Sequence, residues 1–258
     1  MATVLYPSPV FGPIHSRRLG KSLGVNLMPS DGKLCSFDCI YCECGYNKDN
    51  PVKSPRPTQE EVMDKLESTL ITMKEKDDLP DYITFAGNGE PTLHPKFAEI
   101  IEDTIHLRNI HTPKTKIAVL TNGSMIHRKN VFDALMVVDE NIVKLDTADI
   151  KYIKKVNRPV LWYNVDEQIS RLVKFQGHCI IQTMFMHGIV EGEDISNFKA
   201  EYIQPWLRAL RIIKPSQVMV YTIDRDTPEK NIYKVSPEEL DEISRQVEQL
   251  GIHAISAY

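Results

Sequence analysis

Three cysteines, Cys35, Cys39 and Cys42, stand at C-x3-C-x2-C spacing in the run Leu34-Cys35-Ser36-Phe37-Asp38-Cys39-Ile40-Tyr41-Cys42. Thiolates are the usual protein ligands of iron–sulfur clusters, and one compact loop can hold several of them around one inorganic core. Three is the informative number. A [4Fe–4S] cube has four irons, so three cysteines leave one iron open to a small-molecule ligand. An electron carrier normally closes that position, and Cys44 offers a fourth thiolate for that reading as C-x3-C-x2-C-x-C. A non-catalytic zinc-binding module is the other metal reading, because zinc takes four Cys or His ligands at short paired spacings. The C-x-C end is awkward for a tetrahedral site, and neither a second C-x2-C knuckle nor a pair of histidines follows. A disulfide framework fits worse: five cysteines is an odd number, and no apolar signal peptide opens the chain.

The elements that must position this loop can be read from patterning. At 258 residues, 26% charged and 42% hydrophobic, the chain can bury one large α/β core or two small ones. We expect a single domain over 1–258: an irregular lead-in over 1–20, rich in Pro7, Pro9, Gly12 and Pro13, a core over about 21–235, and a C-terminal helix and tail over 236–258. No apolar run approaches the ~20 residues of a membrane span. With unpaired cysteines and no export signal, a cytoplasmic location is expected. The net charge of −4 argues against broad wrapping of nucleic acid, which calls for a basic face.

Strands are expected over 24–28, 82–86, 116–120, 142–148, 179–186 and 217–223, with a short edge strand over 252–258. Helices separate them. Thr58 with Glu61 forms a capping box ahead of Val62, Leu66, Leu70 and Met73 at helical spacing. Further helices are expected over 95–107, 129–138 and 197–213. Another follows Asn164 and stops at Gly177, and the last opens at Ser236-Pro237-Glu238-Glu239. Strands alternating with helices argue a mostly parallel sheet, which either closes toward a barrel or opens into a doubly wound fold. In both, function belongs at the C-terminal strand ends.

Several residues stand at those ends. Gly87-Asn88-Gly89-Glu90 follows the second strand; it reads as a plain Asn-Gly turn or as a loop that lets a ligand approach, with Glu90 able to accept from an amine. Thr121 and Asn122 end the third strand, ahead of a turn at Gly123, and are candidates to face a bound cofactor. On the fourth, alternation puts Lys144 and Asp146 on one face. A central parallel strand should be apolar on both faces, so this pair is either a polar interior site or a self-contained ion pair. Gln182 on the fifth strand is a buried amide that needs partners and so a candidate cofactor or substrate contact, whereas Met184, Met186 and Cys179 read as core. Arg17 and Arg18 before the cysteine loop, Arg158 and Arg225 are candidates for an anionic substrate or for surface pairing.

The cysteine spacing with an aromatic before the last cysteine resembles the radical S-adenosylmethionine superfamily. Ser16-Arg17-Arg18-Leu19-Gly20 together with 87–95 is similar to a branch related to wyosine-base tRNA-modifying enzymes. The resemblance implies a partial (β/α)6 barrel with the cysteine loop after its first strand. It implies that the [4Fe–4S] cluster binds S-adenosylmethionine through the open iron. Reductive cleavage then gives a 5′-deoxyadenosyl radical that abstracts hydrogen, with flavodoxin or ferredoxin as the one-electron donor. By the same resemblance Gly87, Asn88, Gly89 and Glu90 hold the cofactor's amino group, with Asn88 replacing a glycine. Asp146 binds the ribose hydroxyls, Lys144 reaches the methionyl carboxylate, and Tyr41 lies beside the adenine. A tRNA base, a small molecule or a peptide stays open as substrate; the net charge and the lack of a second cysteine cluster before Cys35 disfavour tRNA.

Overall fold

In the computed structural model, which describes residues 4–258, the secondary structure alternates as expected. In chain order the elements are β1 (Val10–Ser16), β2 (Gly20–Val25), α1 (Gln59–Glu75), β3 (Tyr82–Phe85), a 3-10 turn (Pro91–Leu93), α2 (Phe97–His111), β4 (Lys116–Thr121), α3 (Lys129–Val137) and β5 (Glu140–Lys144). There follow α4 (Ile150–Val156), α5 (Val165–Val173), β6 (Ile180–Val190), β7 (Glu193–Asp194), α6 (Ala200–Ile213), β8 (Gln217–Thr222), β9 (Ile232–Lys234), α7 (Pro237–Glu248) and β10 (His253–Ala257). Both capping boxes form, Thr58 with Glu61 at α1 and Ser236 with Glu239 at α7.

The strand order decides between the two architectures. The sheet runs β1-β2-β3-β4-β5-β6-β8-β10, so spatial order follows chain order with no reversal. From β2 to β10 every step along this path is parallel. Right-handed crossovers that all advance the same way put every connecting helix on one face, and a twisted sheet covered on one face curls. A doubly wound sheet would need a switch point. The fold is therefore a partial barrel whose sheet stays open.

Side-chain burial follows the same division. Ile117, Val119, Val143, Ile181, Val218 and Val220 face outward into one core with Leu66, Ile100, Leu135, Leu172, Leu210 and Leu240 of the helices. The alternate residues Ala118, Ile142, Ile180 and Met219 face inward and, with Leu19, make a small apolar floor. One step further along the strands the inward positions turn polar: Lys144, Gln182 and Tyr221. This is the lumen.

Three expectations need correction. The lead-in over 1–20 is not irregular throughout, although residues 1–3 lie outside the described residues. Val10–Ser16 is an edge strand antiparallel to β2, and its register shift between Phe11 and Ile14 accommodates Gly12 and Pro13 at a bulge. The fourth expected strand stops at Lys144, so Asp146 stands beyond it on the loop. Finally, α4 was not expected. It is seven residues long, too short for periodicity to show, and Asp149 caps it by accepting from the Tyr152 N–H at 2.8 Å. The tail does form a strand, β10, parallel to β8.

Candidate active site

The cysteine loop is held from two sides. On one side Leu34 pairs with Gly89 as an isolated parallel bridge, with Leu34 N–H donating to Asn88 C=O at 2.9 Å and Glu90 N–H to Leu34 C=O at 3.2 Å. On the other, the last carbonyls of α4 and the residues after it lack helical partners and accept from the loop instead. Ile40 N–H donates to Val156 C=O at 2.9 Å and Asp38 N–H to Asn157 C=O at 3.0 Å. The unexpected short helix thus serves as a bracket.

The two glycines have a packing task. A Cβ on Gly89, whose φ is +141°, would meet Leu34 O at 1.9 Å, and one on Gly87 (φ +137°) would meet the Asn26 side chain at 2.7 Å. Gly89 thus permits the close approach of the cysteine loop's own backbone, and Gly87 that of the Asn26 side chain. Asn88 is fully buried: Oδ1 accepts from Tyr6 N–H at 2.7 Å, and Nδ2 donates to the carbonyls of Tyr6 and Pro29, both at 2.9 Å. Gly89→Ala is expected to cost on the order of 3 kcal/mol and to loosen the loop. Thermal denaturation checks this, with iron uptake on reconstitution as the second readout.

Around the thiols stand the expected Asn122 and two partners that the sequence pattern did not reveal, Asn157 and Lys33. Asn122 Nδ2 donates to Ser36 Oγ at 2.9 Å and lies 3.6 Å from Cys35 Sγ. Asn157 Nδ2 lies 3.5 Å from Cys39 Sγ, and also donates to Asp146 Oδ2 at 2.7 Å and Tyr41 Oη at 3.1 Å. Lys33, its side chain only 1% exposed, donates to Gly45 C=O at 2.7 Å and pairs with Asp38 at 3.3 Å. Burial opposes its charge, but Cys42, Cys35, Cys39 and Asp38 all face it and hold its pKa above the usual lysine range. Burial pushes the Cys35 and Cys39 thiols up. A hydrogen bond with Cys44 lowers Cys42, with Lys33 contributing. Cys44 is buried, 3.6 Å from Gly87 O.

This donor set fits a thiolate-bound cluster. The buried Lys33 ammonium feels all three thiols, and two asparagine amides reach two of the sulfurs. The cation balances thiolate charge, and N–H donors at the sulfurs are among the levers that set a cluster's potential. Among the described residues, no three His, Cys, Asp or Glu side chains converge closely enough to hold a single metal ion.

Beside the cysteines, Asp146 is the hub of a buried network. Oδ1 accepts from Met184 N–H at 3.0 Å, and Oδ2 accepts from Asn157 and from the Tyr41 hydroxyl. Lys144 Nζ stands 3.5 Å from Asp146 Oδ2, donates to Tyr41 Oη and lies 4.6 Å from the Tyr41 ring centroid. Burial opposes the Lys144 charge, and Asp146 more than offsets it, so the ammonium is held above its usual range. Glu90, 2% exposed, ties three segments together. Its Oε1 accepts from Thr121 Oγ1 at 2.6 Å and from Thr92 N–H and Oγ1, and its Oε2 accepts from Asn122 N–H at 2.7 Å. Burial keeps its pKa above the usual carboxylate value. Its second oxygen retains an acceptor position.

Of the four candidate arginines, three are in ion pairs. Arg17 pairs with Asp224 at 3.5 Å, Arg158 with Glu191 at 3.4 Å, and Arg225 with Glu43 at 2.5 Å. Arg18 turns into the lumen and donates to Gln182 Oε1 at 2.8 Å. Met184, Met186 and Cys179 are buried, as core residues should be.

Fold and site together define a class. Residues 30–199, more than half of the chain, match the family model described as Radical SAM superfamily. A radical SAM methyltransferase from Sphaerobacter thermophilus superposes with TM-score 0.67 over 92% of this chain and 66% of its own, at 15% identity. That likeness is one of fold. A UPF0026 protein of Helicobacter pylori (strain J99) is 32% identical over 240 residues, which is 90% of this chain and 71% of that one. The chain thus belongs to the radical SAM superfamily and, within it, to the UPF0026 family. The GTPase Obg of Brachyspira hyodysenteriae is 28% identical over 240 residues, 93% of this chain, but this chain spans only 33% of that protein. Gly20-Lys21-Ser22 is preceded by His15 where a phosphate-binding loop ending in those residues would place glycine. Among the described residues no helix is long and apolar enough to cross a membrane.

Proposed function

We propose that this chain is a radical S-adenosylmethionine enzyme in which Cys35, Cys39 and Cys42 hold a [4Fe–4S] cluster with one iron left open. The observation that carries this reading is the three-cysteine loop at the C-terminal ends of a parallel sheet, with the Asn122 and Asn157 amides within hydrogen-bond reach of the Cys35 and Cys39 sulfurs. When bound and reduced by one electron from a donor such as flavodoxin or ferredoxin, the cluster supplies reductive cleavage of S-adenosylmethionine and hence a hydrogen-abstracting radical.

The chain's own share is positioning and exclusion of water. Lys33 compensates thiolate charge, and Asn122 and Asn157 donate to sulfur. Glu90 offers its second oxygen to the cofactor's amino group. Asp146, already holding Tyr41 and Asn157, fixes the polar wall toward the ribose. Lys144 supplies a cation for the methionyl carboxylate. The Tyr41 hydroxyl bridges Lys144 and Asp146, so the ring itself is the part of Tyr41 available to an adenine.

The test is anaerobic. The chain is reconstituted with iron and sulfide, reduced, and supplied with S-adenosylmethionine; 5′-deoxyadenosine and methionine are expected in equal amounts. A reducible cluster that yields neither product would overturn the reading.

A further inference from the structure

Arg18 is the cation of the lumen without an acid. Its guanidinium lies over the Tyr221 ring, 4.6 Å from the centroid, and one NH group donates to Gln182 Oε1. Both partners are neutral, and no carboxylate pairs with it among the described residues. The acids that could reach this region are already committed. Asp224 is shared between Arg17 and Lys234, each at 3.5 Å, and Asp146 holds Tyr41, Asn157 and Lys144.

The placement is specific. Leu19, the next residue, packs into the apolar floor with Ala118, Ile142, Ile180 and Met219, which fixes Arg18 just above it. Gln182 aligns with Lys144 across β5 and β6, and Met184 with Tyr221 across β6 and β8. Arg18 therefore shares the polar layer of the lumen with Lys144, below the cysteine loop. Tyr221 connects the two, since its hydroxyl feels Lys144, Asp146 and Arg18 together. A stacked, singly hydrogen-bonded guanidinium is oriented without being neutralised, and its remaining donors form a planar fork suited to an oxyanion.

We propose that Arg18 anchors an oxyanion of the substrate, a carboxylate or a phosphate monoester, inside the lumen. This rests on the reading of the lumen as the chamber of a radical enzyme and adds the class of molecule it admits. Gln182 is a positioning residue that sets the guanidinium plane.

The test uses the full chain with its cluster reconstituted, S-adenosylmethionine present, and inorganic phosphate or acetate as probe. Side-chain nitrogen spectra follow the Arg18 Nε–H and the Gln182 amide. A saturable displacement of both resonances is expected. Binding should be about tenfold weaker in Arg18→Lys, which keeps charge but loses the fork. The Gln182 response should vanish in Arg18→Gln and persist in Arg17→Gln. A response to phosphate alone identifies a phosphate monoester, and one to acetate alone a carboxylate. If neither anion displaces the wild-type resonances, the proposal falls, whether or not the variants fold. A response in a chain that fails to bind S-adenosylmethionine leaves the anion site standing and removes the radical reading. Silence in a chain that binds the cofactor removes the anion site alone.

Discussion

Cys39→Ala, reconstituted anaerobically, is expected to lose its cluster and to form no 5′-deoxyadenosine above background, whereas Cys44→Ala keeps both. Cys39 is the buried middle cysteine of the three, its sulfur reached by Asn157. Removing it leaves two thiolates, too few to retain a cube against loss to solvent. The fold should survive, because replacing one buried sulfur costs about 1–2 kcal/mol. Cys44 is the sharper control. It sits beside Cys42 and within reach of Gly87 O, so as a mere neighbour it can be removed without loss of iron. Iron, labile sulfide and 5′-deoxyadenosine measured on the two variants side by side decide the matter. Loss of the cluster in Cys44→Ala would instead mean four thiolates and an electron carrier.

Asp146→Ala is expected to destabilise the chain by about 3–5 kcal/mol, because it strands the largely buried Lys144 ammonium without its partner. For a chain of this size the melting temperature should fall by on the order of 10 °C. The double variant Lys144→Met, Asp146→Leu removes both charges at nearly constant volume, and most of the lost stability should return. Its activity separates two readings. If the pair is only a structural ion pair, cleavage of S-adenosylmethionine returns with the fold. If Asp146 and Lys144 meet the cofactor, the chain regains its melting temperature and stays inactive, and this second outcome is the one expected.

Much of this arrangement was legible in the sequence, and the parts that were not share a cause. The cysteine spacing, the capping boxes at Thr58 and Ser236, and the alternation that put Lys144 and Asp146 together are local signals. Each depends on a few neighbouring residues and a fixed period. Asn157 and Lys33 gave no such signal. Asn157 acts on Cys39, which is remote in sequence, through a helix too short to show periodicity. Lys33 reads as a loop lysine until the fold closes over it. Strand order is likewise a property of long-range pairing, so alternation alone could not separate a curled, one-sided sheet from a doubly wound one. The glycines of 87–90 were read as room for a ligand. The structure shows that Gly89 makes room for Leu34 and Gly87 for the Asn26 side chain, because spacing alone does not say what comes close. Four arginines looked equivalent in sequence, and only their partners distinguish them.

The central claim is that one iron of the cluster is left open for S-adenosylmethionine. Electron paramagnetic resonance of the reduced, reconstituted chain tests it most directly, recorded before and after S-adenosylmethionine is added. Ligation of the open iron predicts a changed spectrum in the wild type and the same change in Cys44→Ala. A reduced cluster whose spectrum ignores S-adenosylmethionine would contradict the account.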